Sequence, residues 1–143
     1  MIATREIIID TDARMDEGYV SMYNITPKVL QHTAEANVTR GTLTLFLPGT
    51  TASLSTIEWE DGLLSDFKKT WQRLVPQDAV YSHKFLWDEN NAYSHIRATM
   101  MGASLVIPIV NKKLTLGKYQ QIVMMEFDNR ARKRQIILQF AGE

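Results

Sequence analysis

The chain of 143 residues reads as an α+β protein: a largely antiparallel sheet, curled or two-layered, with two to three helices. Three observations predict this class. Apolar and β-branched runs recur along the chain between short polar turns, which implies antiparallel hairpins. A few segments instead repeat their apolar residues every three or four positions, the period of a helix face. Strands and helices do not alternate in the βαβ manner of a parallel sheet. Nothing resembles a linker or an internal repeat, so residues 1–143 are expected to form one domain, long enough to bury a full core.

The elements follow in order. Thr4 to Asp10 holds the triplet Ile7-Ile8-Ile9 and reads as a strand. Asp12 to Gly18 is turn-like, and Tyr19 to Tyr23 forms a second short strand. Thr26-Pro27 opens a helix, with Thr as its cap and Pro at the first helical position. Val29, Leu30, Thr33 and Ala34 share one face of that helix, and Asn37 stops it in the left-handed conformation. His32 lies on it as a partly exposed residue. Thr42 to Leu47 is a strand closed by Pro48-Gly49, and Thr50 to Trp59 resumes an extended pattern.

Asp61 or Gly62 opens the most periodic helix. Leu63, Leu64, Phe67, Trp71, Leu74 and Val75 form its apolar stripe, read as core, and Pro76 stops it. Val80 to His83 is extended and Asp88 to Asn91 is a polar loop. Ser94 caps a short helix through Met101, with Gly102 as its stop. Ser104 to Val110, Tyr119 to Asp128 and Gln135 to Phe140 are strands. Asn111 to Lys113 and Asn129 to Lys133 are the turns between them.

Composition narrows the function classes. Sixteen basic residues balance sixteen acidic ones, which argues against a dedicated nucleic-acid binder. There are no cysteines, so disulfides, thiolate metal sites and a cysteine nucleophile are excluded. No apolar run approaches the roughly 20 residues of a membrane helix. The N-terminal MIATREIIIDTD lacks the apolar stretch of a signal peptide. A cytoplasmic protein without nucleic-acid or membrane partners is expected. Motifs of the GxxxxGK, GxGxxG, HExxH and GxSxG types are absent.

The remaining chemistry gathers in Tyr81–Gln120, which carries two of the three histidines. His83 and His95 are separated by a polar loop that could fold them together as nitrogen ligands for Zn, Mn, Ni or Co. Two imidazoles are too few for a tetrahedral site, so Glu58, Asp88, Glu126 or a second subunit would complete it. The alternative is histidines that only hydrogen-bond within a polar loop. Glu126 alternates with Ile122 and Met124. It is either a paired carboxylate on a core face or a strand-end residue facing water. Arg130, Arg132, Lys133 and Arg134 form a basic hairpin, read as a solvated turn or as a phosphate-binding patch. Arg97 is a candidate for an anionic ligand through its planar fork. Trp87 is a candidate pocket wall.

These residues carry a family resemblance over about Arg5 to Glu143. The motifs are Pro48-Gly49-Thr50-Thr51-Ala52-Ser53-Leu54, Ile57-Glu58, Tyr81-x-His83, Ser94-His95-Ile96-Arg97-Ala98 and Gly102-x-Ser104-Leu105. They continue as Leu116-Gly117-x-x-Gln120-x-Ile122 and Glu126. In order and spacing the chain resembles the YjbQ-like proteins, also called the secondary thiamine-phosphate synthase family. The PGTTAS form and the run from Asp128 to Arg134 resemble the archaeal branch. The resemblance implies an α+β domain assembled as a homotrimer, with a small-molecule site near the subunit interface. It also implies a divalent metal, Zn or Mg, and thiamine-phosphate synthase activity, with a non-catalytic metal- or metabolite-binding oligomer as the alternative.

By motif position the implied catalytic residues are Glu58, His95 and Glu126, and the metal ligands are His83 and His95. The substrate-binding candidates are Arg97, Ser104, Lys118 and Gln120. The chain departs from the pattern at Gly49 and Tyr93, where many relatives carry histidines, and at Tyr119, where the family has Trp. The first two departures weaken the metal expectation.

Overall fold

Strand alternation sorts this chain into three layers. The structure is a computed structural model that describes residues 1–12, 17–83 and 90–143. Among the described residues, eight strands lie in two antiparallel sheets. The larger is ordered β1-β8-β3-β5-β6 and the smaller β2-β7-β4. Their ranges are β1 Ile2–Asp10, β2 Ser21–Asn24, β3 Arg40–Phe46, β4 Ala52–Glu58, β5 Ser104–Val110, β6 Lys113–Leu114, β7 Gln120–Glu126 and β8 Lys133–Gly142. The helices are α1 (Thr26–Ala36), α2 (Asp61–Leu74) and α3 (Ala92–Met101). The antiparallel α+β class expected from the sequence is therefore observed, with two sheets and three helices.

Period-2 alternation gives each strand one inward row. In the larger sheet those rows are Ile7 and Ile9, Leu43 and Leu45, Ile107 and Ile109, and Ile136, Leu138 and Phe140. They pack against Ala52, Leu54, Ile122 and Met124 of the smaller sheet, and against Val29 and Ala36 of α1. The opposite face of the smaller sheet, Val123 and Met125 with Phe127 just beyond, packs on Trp71 and Val75 of the α2 region and on Tyr93 and Ala98 of α3. β7 is thus the middle strand of the middle layer. All seven residues from Ile122 to Asp128 are buried, which is why its pattern is apolar on both faces.

Several local expectations are corrected. The Thr26 hydroxyl does not cap α1. It accepts from Ile122 N at 2.8 Å and donates to Ile122 O at 3.4 Å, tying the helix to β7, while Asn24 Oδ1 accepts from Thr26 N at 3.0 Å. Leu30 is 49% exposed, since the buried row of α1 is Val29, Thr33 and Ala36. In α2 the stripe is narrower than expected. Leu64 and Trp71 are buried, but Leu74, the last residue of α2, is 63% exposed. α2 starts at Asp61, and Glu60 is its cap, accepting from Gly62 N and Leu63 N. Tyr19 belongs to a 3-10 turn, Glu17–Tyr19, and only Ser21–Asn24 is strand. The expected turn at Asn111–Lys113 is a tight hairpin instead, with β6 beginning at Lys113.

The left-handed stop at Asn37 is observed, at φ 55° and ψ 36°. One glycine pair is set by close approach. Gly41 of β3 faces Gly142 of β8 in register, and a Cβ on Gly41 would stand 2.0 Å from Ala141 O. We expect Gly41→Ala to cost about 2 kcal/mol or more in urea denaturation, because backbone, not a flexible side chain, must yield. A loss under about 0.5 kcal/mol, the size of an ordinary surface change, would contradict this packing.

Candidate functional site

The β7–β8 turn brings charges into the interior. Arg134 alternates with Ile136, Leu138 and Phe140, so it lies on the inward face of β8. Glu126 lies on the inward face of β7. The two meet as a buried, two-pronged ion pair. Arg134 Nε donates to Glu126 Oε2 at 2.6 Å and Nη2 donates to Oε1 at 2.5 Å. Arg134 Nη2 also donates to Thr51 Oγ1 at 2.7 Å, and Thr51 Oγ1 donates to Asp128 Oδ2 at 2.9 Å. Arg132 adds Nε and Nη2 to that same Asp128 oxygen at 3.0 and 2.7 Å. Asn91 Nδ2 donates to the other oxygen at 3.2 Å.

Each carboxylate is therefore met by a guanidinium and by neutral donors, which is what a buried charge needs. Burial alone would raise the Asp128 pKa. The hydrogen bonds from Arg132, Asn129, Asn91 and Thr51 outweigh it and hold Asp128 below the ordinary carboxylate value.

This network bears on two readings of the sequence. The basic hairpin is solvated only in part: Arg130 and Lys133 are exposed, whereas Arg134 and Arg132 are spent on internal carboxylates. Glu126 is the paired core carboxylate, with both oxygens bound to Arg134 and Oε1 also accepting from Asp128 N at 3.1 Å. The network also accounts for Gly49. A Cβ there would stand 3.0 Å from Arg134 Nη1, and φ is +143°, so the guanidinium occupies the space beside residue 49.

The network also sets the start of α3. Asn91 precedes its first turn, and the Asn91 carbonyl accepts from Ser94 N at 3.0 Å and Ser94 Oγ at 2.6 Å. Ser94 is thus buried inside the first turn and is not the cap. His95 lies one turn beyond Asn91 on the same helix face. Its ring meets that of His83, with centroids 5.0 Å apart and planes at 78°. The two histidines separated by the polar loop are brought together. Beside them a pocket of about 310 Å³ is lined by Gln77, Asp78, Ala79, Tyr81, His83, Asn90 and Ala92. Tyr81 is fixed as a wall by its hydroxyl, which donates to Pro76 O at 2.5 Å.

The other candidates lie elsewhere. Arg97 is fully buried. It donates Nε and Nη2 to Val75 O at 3.1 and 2.9 Å, and Nη1 to Gly18 O and Tyr19 O at 2.8 and 3.0 Å. Its guanidinium carbon lies over the rings of Tyr93, Trp71 and Phe127 at 5.0, 5.7 and 5.7 Å. The expectation that Arg97 binds an anionic substrate is therefore corrected: its fork clamps carbonyls under the helices. Burial lowers its pKa to about 10, still charged at neutral pH. Tyr93, stacked on it, has its phenol raised to about 12 by burial, so the ring beside the network stays neutral.

Glu58 and Gln120 sit opposite one another where β4 ends and β7 begins. Glu126 pairs with Ala52 at the other end. Seven strand residues separate those ends by about 20 Å, so Glu58 and Glu126 do not share one site within the chain. Gln120 braces its own loop, with Oε1 accepting from Gly117 N and Nε2 donating to Thr56 Oγ1, both at 2.9 Å. Lys118 Nζ lies over the Tyr119 ring at 5.2 Å. Ser104 is exposed and pairs with Phe46 across the larger sheet. Trp87, Asp88 and Glu89 lie outside the described residues.

Two of the network's members, Thr51 and Asn91, were not singled out for a role from the sequence. The available signal was charge matching, since Glu126 and Asp128 are followed, after the three residues Asn129 to Ala131, by Arg132 and Arg134.

We expect Glu126→Gln to lower stability by about 3–5 kcal/mol, because it leaves the Arg134 charge buried and unpaired. Removing both charges with Glu126→Leu and Arg134→Met together should recover most of that loss. A double-mutant cycle in urea measures this, and two additive losses would contradict a direct pair. The pH dependence has a definite sign. The folded Asp128 pKa lies below its ordinary value of 3.8, so its contribution is complete above that value and is lost as pH falls through the folded pKa. Asp128→Asn should therefore flatten the acid side of the stability profile below about pH 4. An unchanged acid limb would contradict the assignment.

Comparison with known proteins agrees with this architecture. Residues 12–143 match the family model described as UPF0047 protein YjbQ-like. A UPF0047 protein of Methanothermobacter thermautotrophicus is 32% identical over 142 residues, 99% of this chain and 94% of that protein. One from Archaeoglobus fulgidus is 38% identical over 97 residues, covering 68% and 75%. Among solved structures, a YbjQ-like protein of unknown function from Sulfolobus solfataricus superposes with a TM-score of 0.86 at 24% identity, over 100% of both chains. An uncharacterised YjbQ/UPF0047-family protein of Clostridium acetobutylicum gives 0.80 at 29% identity, over 94% and 99%. The fold, the ordered motifs and these matches together establish that the chain belongs to the YjbQ-like, UPF0047, family.

Proposed function

We propose that this chain handles a small molecule in the pocket beside His83, with the His83–His95 pair as its reactive end and a divalent metal ion as its cofactor. The observation that carries the reading is the pairing itself. Two imidazoles, on either side of one polar loop, stand ring to ring at 5.0 Å, and one of them lines a pocket of about 310 Å³. Two nitrogen donors fit Zn²⁺ or a similar borderline ion better than Mg²⁺, which demands oxygen ligands. Among the described residues no three His, Asp or Glu side chains converge as a metal site. Water, substrate or a neighbouring subunit would complete the coordination.

When bound, such an ion polarises an oxygen of the ligand or lowers the pKa of a bound water. The histidines hold and orient it, and the Asn91–Asp128 contact fixes the turn from which His95 projects. The reaction favoured by the family resemblance is thiamine-phosphate formation. The thiazole nitrogen captures the pyrimidine methyl carbon as diphosphate departs. A homotrimer is proposed with it, supported by Phe46, Val106 and Val110 on the outward side of the larger sheet, each about half exposed or more.

A second reading has its own observation. Neither Lys nor Arg is among the described residues lining the pocket, and Arg97 is committed elsewhere, although a departing diphosphate needs cations. This favours a non-catalytic metal- or metabolite-binding oligomer.

Metal analysis of purified protein separates these ideas from error. We expect about one Zn-type ion per chain or per shared site, lost by at least about tenfold in His83→Ala and in His95→Ala. Full metal content in both variants would refute the site. Incubation with the two thiamine precursors should yield thiamine phosphate if the first reading holds. No product above blank from a metal-loaded protein selects the second. Native mass spectrometry should find three copies of the 16.4 kDa chain, and a monomer alone would exclude the trimer.

A further inference from the structure

At the opposite end of the smaller sheet from Glu126 lies a second cavity. It has a volume of about 330 Å³ and lies between α1, the β5–β6 hairpin and the loop entering β7. Its apolar surface comes from Leu30 and Ala34 of α1 and from Leu114 and Leu116. Leu114 and Leu116 rest on the main core, so this surface is anchored. The cationic residues are Lys112 and Lys113, and no carboxylate is among the residues lining the cavity. Among the described residues, the lining of this half-apolar hollow thus carries two cations and no anion. The deeper polar groups are already bonded: Thr33 Oγ1 donates to Val29 O at 2.8 Å, and the Thr26 hydroxyl is spent on Ile122.

The walls are held in place before anything binds. Gln120 Oε1 accepts from Gly117 N at 2.9 Å, and Gln120 N donates to Gly117 O at 3.1 Å. Asn24 Nδ2 donates to Gln121 Oε1 at 3.2 Å. Lys112 N donates to Thr39 O at 3.1 Å, and Thr115 N donates to Pro108 O at 3.1 Å. Lys112 has φ 64° and follows Asn111 at φ 50°. Glycine would fill the second position of such a turn without strain, yet the chain places a lysine there, on the cavity.

We propose that this cavity is a binding site for a small amphiphilic anion, a carboxylate or phosphate monoester on a short apolar body. The anion meets the ammonium groups of Lys112 and Lys113, and the body covers Leu30, Leu114 and Leu116. Burial of the body excludes water from the charged end and strengthens the pairing there. The site is independent of the His83–His95 reading and stands or falls apart from it.

Calorimetric titration of the intact protein tests this with four probes: hexanoate, hexyl phosphate, hexanol and inorganic phosphate. One or both amphiphilic anions should bind at least about tenfold more tightly than hexanol and than inorganic phosphate, because charge and apolar contact act together. Whichever of the two binds more tightly identifies the headgroup. Lys112→Gly with Lys113→Gln should weaken binding about tenfold or more, and since Lys112→Gly relieves the left-handed strain, the variant should remain folded. His83→Ala should bind as the parent does. The proposal is overturned by hexanol binding as well as the anions, by no binding of either anion at millimolar concentration, or by an unaffected lysine variant. It is likewise overturned if the anions bind only after dilution separates an oligomer, which would make a second copy the occupant.

Discussion

The Glu126–Arg134 ion pair joins the two sheets and brings charge into the core between them. Glu126 ends the middle strand of the middle layer, and Arg134 stands near the start of β8, the neighbour of both β1 and β3. The pair makes two direct bonds and extends through Thr51 to Asp128 and on to Asn91. One connected set of polar groups therefore fixes the β3–β4 loop, the β7–β8 turn and the first turn of α3. Breaking a buried pair costs far more than the pair gains over an apolar substitute, so its value lies in specifying this arrangement. His95 inherits its position from that arrangement, and His83 is met across it.

The functional groups are then divided between two ends of one strand. At the β7 C-terminal end, charges are neutralised pairwise, and the proposed chemistry falls to the imidazoles. At the β7 N-terminal end, Glu58 and Gln120 face one another, with the lysines of the β5–β6 hairpin close by. A trimer would provide the way to bring one end against the other across a subunit boundary, because no path within the chain shortens a strand of this length. Oligomerisation is therefore a geometric requirement of any mechanism that uses both Glu58 and Glu126.

The sequence made the architecture legible where one period dominated. Ile136, Leu138 and Phe140 alternate without interruption, and α2 repeats its apolar residues cleanly, so strand and helix were recoverable. It was less legible where a residue satisfies two demands. Thr26 looks like a cap, but its hydroxyl is used by β7. Leu74 fits the helical stripe but, as the last residue of α2, lies largely exposed. Arg97 looked like an anion ligand because its planar fork matches phosphate or carboxylate; only the fold reveals the carbonyls of Gly18, Tyr19 and Val75 converging on it. For the site, the meeting of His83 and His95 was anticipated from the loop between them. The Thr51–Asp128–Asn91 links, made across three separate elements, leave no local pattern to read.

Glu126 is held in the structural ion pair with Arg134, and chemistry is proposed for the paired imidazoles. The measurement that separates those roles most directly is anomalous diffraction from crystals soaked in Co²⁺ or Zn²⁺. It should place an ion about 2.0–2.1 Å from a ring nitrogen of His83 and of His95, with both Glu126 oxygens still on Arg134. An ion bound by Glu126, with Arg134 swung away, would contradict it.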